Sequence, residues 1–144
     1  MVAGGGETPR NRQEDVVYRD DSVTAFVSPK WWEQNPGHVL VVPNAHLENV
    51  YEISERALGQ VYSVARRIAV ALCDAYACDG TSMRQHNEPA GNQDVWHFHV
   101  HVFPRYAGDD LYRNIDRAVW VDANRRAEYA STLRPHLHRA ARAK

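Results

Sequence analysis

Apolar positions fall into short runs broken by polar turns over the first third of the chain, and into a helical repeat after that. Val16 to Tyr18 and Val23 to Val27, on either side of a turn at Asp20-Asp21, predict two short strands. His38-Val39-Leu40-Val41-Val42, opened by Gly37 and closed by Pro43, is a continuous apolar run of the kind a central strand shows. Leu58, Val61, Ala65, Ile68, Leu72 and Ala75 then recur at three- and four-residue spacing. That period predicts a long helix with Ser54 as N-cap, Glu55 in the first turn and an end near Gly80. Ser82 to His86 predicts another strand, Glu88 to Gln93 a loop, and Val95 to Phe103 a strand halted at Pro104. From Asp122 the composition is helical again (Ala127, Ala130, Leu133), with Pro135 expected to kink or end the helix. Residues 1–13, with Gly4-Gly5-Gly6, predict a flexible tail ahead of one domain, 14–144, of antiparallel strands and packed helix.

Composition narrows the partners. The chain has 144 residues, and its 17 basic side chains against 18 acidic ones lack the basic excess of a protein that grips a nucleic-acid polymer. Met1 to Glu7 has no apolar signal region and no stretch nears the ~20 apolar residues of a membrane span, so no membrane is expected and a cytoplasmic address is. Cys73 and Cys78 are too few for a disulfide framework or a four-sulfur zinc site, and are expected to be buried reduced thiols.

The chemistry concentrates in Trp96-His97-Phe98-His99-Val100-His101-Val102-Phe103, which alternates with period two. In a strand, His97, His99 and His101 share one face while Phe98, Val100 and Val102 share the other. A single histidine is usually a surface or satisfied core residue, but three at this spacing would desolvate three polar rings together without a packing purpose. Two chemistries want such a face: zinc ligation by imidazoles, and attack of a neutral imidazole on phosphorus. Asn87 to Gln93, just before the strand, offers amide side chains and backbone N–H groups able to cradle phosphate oxygens, which favours the second. Trp31 and Trp32 point opposite ways if the loop from Pro29 to Pro36 is extended, one inward and one toward a cleft.

The run from His97 to Phe103 resembles the signature of the histidine triad (HIT) family, His-φ-His-φ-His-φ-φ with φ apolar, and Pro36-Gly37-His38 through Pro43, with His46, resembles the family's other recurrent stretch. The resemblance implies an α+β, HIT-like fold: a five-stranded antiparallel sheet with one long helix and a C-terminal helix. It also implies a homodimer joined through the long helix. A purine nucleotide substrate would be cleaved at the α-phosphate through a nucleotidyl-histidine intermediate, with no metal or cofactor. The substrates implied are dinucleoside polyphosphates or nucleoside phosphoramidates. By position His99 is the nucleophile, His97 and His101 flank it, and His38 stands behind it on the adjacent strand. Asn87 matches a phosphate-contacting Asn, and Gln93 a Gln near the leaving-group oxygen.

Two positions depart from the family pattern. Asp94 stands where a Ser or Thr is usual, and its carboxylate repels phosphate unless it faces a cation such as a protonated His101. Ser28 falls where an acidic or amide residue usually holds the ribose, in a loop about two residues longer than is common, and offers one hydrogen bond in place of two. A zinc-dependent hydrolase using His97, His99, His101 and His38, and a nucleotide-binding module without turnover, remain alternatives on these residues.

Overall fold

Strand β1 (Val16–Arg19) turns into β2 (Val23–Val27) where the Asp20 carboxylate accepts the Ser22 and Val23 N–H groups, both at 2.8 Å. The computed structural model describes residues 12–142, without the side chains of the last five. Residues 1–11 of the expected tail lie outside the described residues. Arg12 and Gln13 do not behave as tail: Gln13–Asp15 form a 3-10 turn, and the buried Asp15 carboxylate pairs with Arg126 at 3.1 Å.

The two-residue β3 (Lys30–Trp31) follows, then β4 (Val39–Pro43) and helix α1 (Glu55–Tyr76). Ser54 caps α1 as expected, its hydroxyl accepting the Ala57 N–H at 3.1 Å, and Ala77 in the left-handed region closes it. Strands β5 (Gly80–Arg84), β6 (Val100–Arg105) and β7 (Val119–Trp120) and helix α2 (Ala123–Arg142) complete the order. Five strands form one antiparallel sheet in the order β1-β2-β4-β6-β5, and β3 pairs with β7 in a separate ribbon. The α+β architecture with a five-stranded antiparallel sheet, a long helix and a C-terminal helix is the one expected.

Alternation divides the sheet into two faces. Val23, Ala25 and Val27 of β2, Val39 and Val41 of β4, and Val100 and Val102 of β6 are buried in the main core. Against them pack Val61, Ala65, Ile68 and Leu72 of α1 and Ala130, Leu133 and Leu137 of α2. Gly37 lets the chain enter β4 close to α2: its φ is +83° and a Cβ would meet the Tyr129 ring at 2.6 Å. The opposite face carries a small apolar floor of Phe26, Leu40 and Val42, and the histidines.

Several expectations need correction. Strand β6 begins at Val100 and runs through Pro104 to Arg105, where Val95 to Phe103 was expected. Proline is tolerated because β4 pairs with β6 only as far as Val102, leaving residue 104 with one strand neighbour. Pro135 does not end α2. Pro135 and Ser131 are both exposed, so the carbonyl that loses its N–H partner lies on the solvent side of the helix. The cysteines are not buried: Cys73 is exposed, Cys78 is half-buried, and their sulfurs lie 3.7 Å apart.

Candidate active site

The histidine face opens on a cleft of about 550 Å³ that His38, His99 and His101 line. His99 is 5% exposed, and its Nδ1–H donates to the His97 carbonyl at 2.8 Å. In the neutral ring that bond keeps the proton on Nδ1 and leaves the lone pair on Nε2. His97 points elsewhere: its Nε2–H donates to the Pro43 carbonyl at 2.9 Å, and it is not part of the cleft wall. Because the Phe98 N–H also bonds to the Leu47 carbonyl, residues 97 and 98 are tied to the segment after β4 before the ladder begins.

His38 and His101 form a pair behind His99. His101 Nδ1 and His38 Nε2 are 3.5 Å apart, and His38 Nδ1 is buried without a partner. Burial, then the Arg84 charge, lowers His38 to about 3. His101 is held well below the usual histidine range, first by burial and then by His38. Both rings are therefore neutral at neutral pH. His97 is lowered as well, chiefly by burial.

Two opposed ends flank these rings. Phe26, Pro29 and Leu40 make an apolar floor at one end, with Ser28 beside it. The Ser28 hydroxyl donates to the Lys30 carbonyl at 3.1 Å and accepts the Lys30 N–H at 3.3 Å. Trp31 is buried against Tyr129 in the core while Trp32 lines the cleft, as opposite orientations require. Arg84, His86, Asn92 and Asp94 line the other end. Asp94 is exposed, and its charge acts on His86, where a protonated His101 had been expected. With His101 held neutral, it offers no cation for that pairing.

Asn87 and Gln93 do not line the cleft. The Asn87 Oδ1 accepts the Val50 N–H at 2.9 Å and the Gln85 amide at 2.6 Å. Gln93 is buried; its Oε1 accepts the Glu88 N–H at 2.8 Å and its Nε2 donates to the Glu48 carbonyl at 2.7 Å. Both amides brace the loops beside the histidines. The expectations missed Arg84, His86 and Trp120. Arg84 has a readable signal, since it stands across from His101 on the neighbouring strand, whereas His86 lies past the end of β5, which covers Gly80–Arg84 where Ser82 to His86 was expected. Trp120 has none, because β7 reaches the cleft only through its pairing with β3.

A family model for the HIT domain matches residues 10–108. The chain belongs to the histidine triad family. It is 35% identical over 104 residues to "Protein hit" of Bacillus subtilis, covering 72% of this chain and 68% of that one. It is 38% identical over 98 residues to a purine nucleoside phosphoramidase of Escherichia coli, covering 65% of this chain and 77% of the enzyme. Among solved structures, a Zn-bound histidine triad protein of Mycobacterium smegmatis superposes with a TM-score of 0.74 at 26% identity, over 90% of this chain and 87% of that one. In the present HIT chain His97 Nε2 is taken up by the Pro43 carbonyl, and no group of three His, Cys, Asp or Glu side chains placed to hold a metal ion is found among the described residues. The HIT match ends before Ile115, Ala118 and Trp120, which wall the apolar end of the cleft. No helix among the described residues is long and apolar enough to cross a membrane.

Proposed function

We propose that the protein hydrolyses or transfers nucleotides at the α-phosphate of a purine nucleotide, through a nucleotidyl-His99 intermediate. The observation that carries this reading is the hydrogen bond from His99 Nδ1 to the His97 carbonyl, which leaves Nε2 as a neutral nucleophile in a cleft. Nε2 attacks the α-phosphorus; the N–P bond forms as the bond to the leaving group breaks, and the electron pair departs with that group. Water then attacks the same phosphorus and gives up a proton to solvent, the N–P bond breaks with its electron pair returning to Nε2, and a nucleoside monophosphate leaves with the imidazole restored. Dividing the displacement in two lowers each barrier. No step calls for a metal.

The apolar floor of Phe26 and Leu40, with Trp32 and Trp120 at its rim, suits a purine, and Ser28 stands near enough for one ribose hydroxyl. The neutral pair His38 and His101 backs the attacking ring, while Asn87 and Gln93 hold the loops that shape the phosphate end. The phosphoramidase relative supports nucleoside phosphoramidates as substrates to try, and dinucleoside polyphosphates are tried beside them. The test is incubation with a panel of both classes, products read by mass spectrometry, beside His99→Ala. Nucleoside monophosphate is expected from at least one substrate and not from the variant; no product from any member overturns the reading.

A further inference from the structure

Arg84 stands directly across from His101 in the β5·β6 register, and one cross-strand row of the cleft floor reads Phe26, Leu40, His101, Arg84. With strands about 4.8 Å apart, this row covers roughly 14 Å, from the apolar end to the guanidinium. Apolar floor, triad imidazole and cation thus lie in order over successive strands.

The guanidinium is half-buried, and among the described residues no carboxylate comes within ion-pair distance of it, neither Asp94 nor Asp116 of the cleft wall included. It lies over the rings of Phe103 at 5.3 Å and Tyr112 at 5.5 Å, with the His86 Nε2 at 3.5 Å from its Nη2. Arg105 shows the alternative. It flanks the same Tyr112 ring at 4.9 Å, yet Asp109 clamps it at 2.8 and 2.9 Å. A partly desolvated cation left unpaired beside the reacting groups calls for an anion.

We propose that Arg84, with His86 beside it, binds the phosphate on the leaving-group side of the scissile bond, and so favours substrates in which a second phosphate follows the α-phosphate. This rests on the reading of His99 as the group that attacks the nucleotide. The planar guanidinium fork matches two phosphate oxygens. When the P–O bond breaks, its electron pair stays on the departing phosphate, and the added negative charge develops beside Arg84. The leaving amine of a phosphoramidate takes up a proton instead and gains nothing from a neighbouring cation.

Equilibrium binding of AMP and ADP to the wild type, Arg84→Gln and Arg84→Lys, by calorimetry, tests this, together with kcat/KM for diadenosine triphosphate and adenosine phosphoramidate. The wild type is expected to bind ADP about tenfold more tightly than AMP. Arg84→Gln should erase that difference and lower kcat/KM for the triphosphate at least tenfold, with the phosphoramidate changed less than threefold and AMP affinity intact. Arg84→Lys should recover part of the loss. Equal ADP preference in wild type and Arg84→Gln, or equal losses on both substrates, overturns the subsite while leaving the nucleotide reading in place. If the wild type binds neither AMP nor ADP, that reading falls and the subsite with it.

Discussion

His38 and His101 stay neutral because they are buried beside one another and near Arg84, and this ties stability to pH. Their folded values lie below the ordinary 6.5, so below that pH the unfolded chain binds protons that the native chain refuses. Stability is therefore fully present above pH 6.5 and lost as pH falls, by about 1.4 kcal/mol per pH unit for each ring. Urea unfolding at pH 7, 6 and 5 should show this slope, and His38→Phe should remove about half of it; a flat profile would mean that the rings are solvated. Asp94 is the other residue whose charge decides something. It lines the cleft at the same end as Arg84, and its charge acts on His86. Replacing it with Ser removes repulsion toward a phosphate chain, so Asp94→Ser should shift the kcat/KM ratio of polyphosphate over phosphoramidate by roughly tenfold, equivalent to ~1.4 kcal/mol. An unchanged ratio would show that the carboxylate stays clear of the leaving group.

The elements legible in the sequence are those whose burial repeats with a clean period. Val61, Ala65, Ile68 and Leu72 mark α1 because they cover one face of the main core, and the unbroken run from Val39 to Val42 marks β4 because that central strand is buried on both faces. The three histidines were legible for the same reason, yet their separate directions were not. His97 is turned onto Pro43, and His99 is fixed by His97, through backbone partners that no spacing reveals. The β3·β7 ribbon was equally hidden: Lys30 pairs with Trp120 across the length of the domain, and two residues per strand leave no pattern. The loop before β6 is a third case, since its amides suggested phosphate contacts and instead brace the backbone. Gln93→Ala would leave the Glu88 N–H and the Glu48 carbonyl without the buried Gln93 amide, and should cost about 1 kcal/mol in chemical denaturation. A loss under 0.5 kcal/mol would mean that the amide bears no such load.

At the scale of the whole molecule, one flank remains open. Strand β5 is an edge of the sheet with Met83 exposed, and α1 shows Tyr62 and Val70 to solvent at 39% and 42%. Val64 of the same helix is buried in the chain's own core. An unpaired edge beside exposed apolar side chains is best covered by a second copy. A homodimer is predicted at micromolar concentration by sedimentation, and a monomer there would contradict it. The chemistry proposed for the cleft turns on His99 forming a bond to phosphorus. Rapid mixing with diadenosine triphosphate or adenosine phosphoramidate, acid-free quenching and peptide mass spectrometry tests that bond directly. The predicted result is one AMP added to the peptide that carries His99, formed and consumed at the rate of turnover. Turnover with no adduct, or an adduct on another residue, would contradict it.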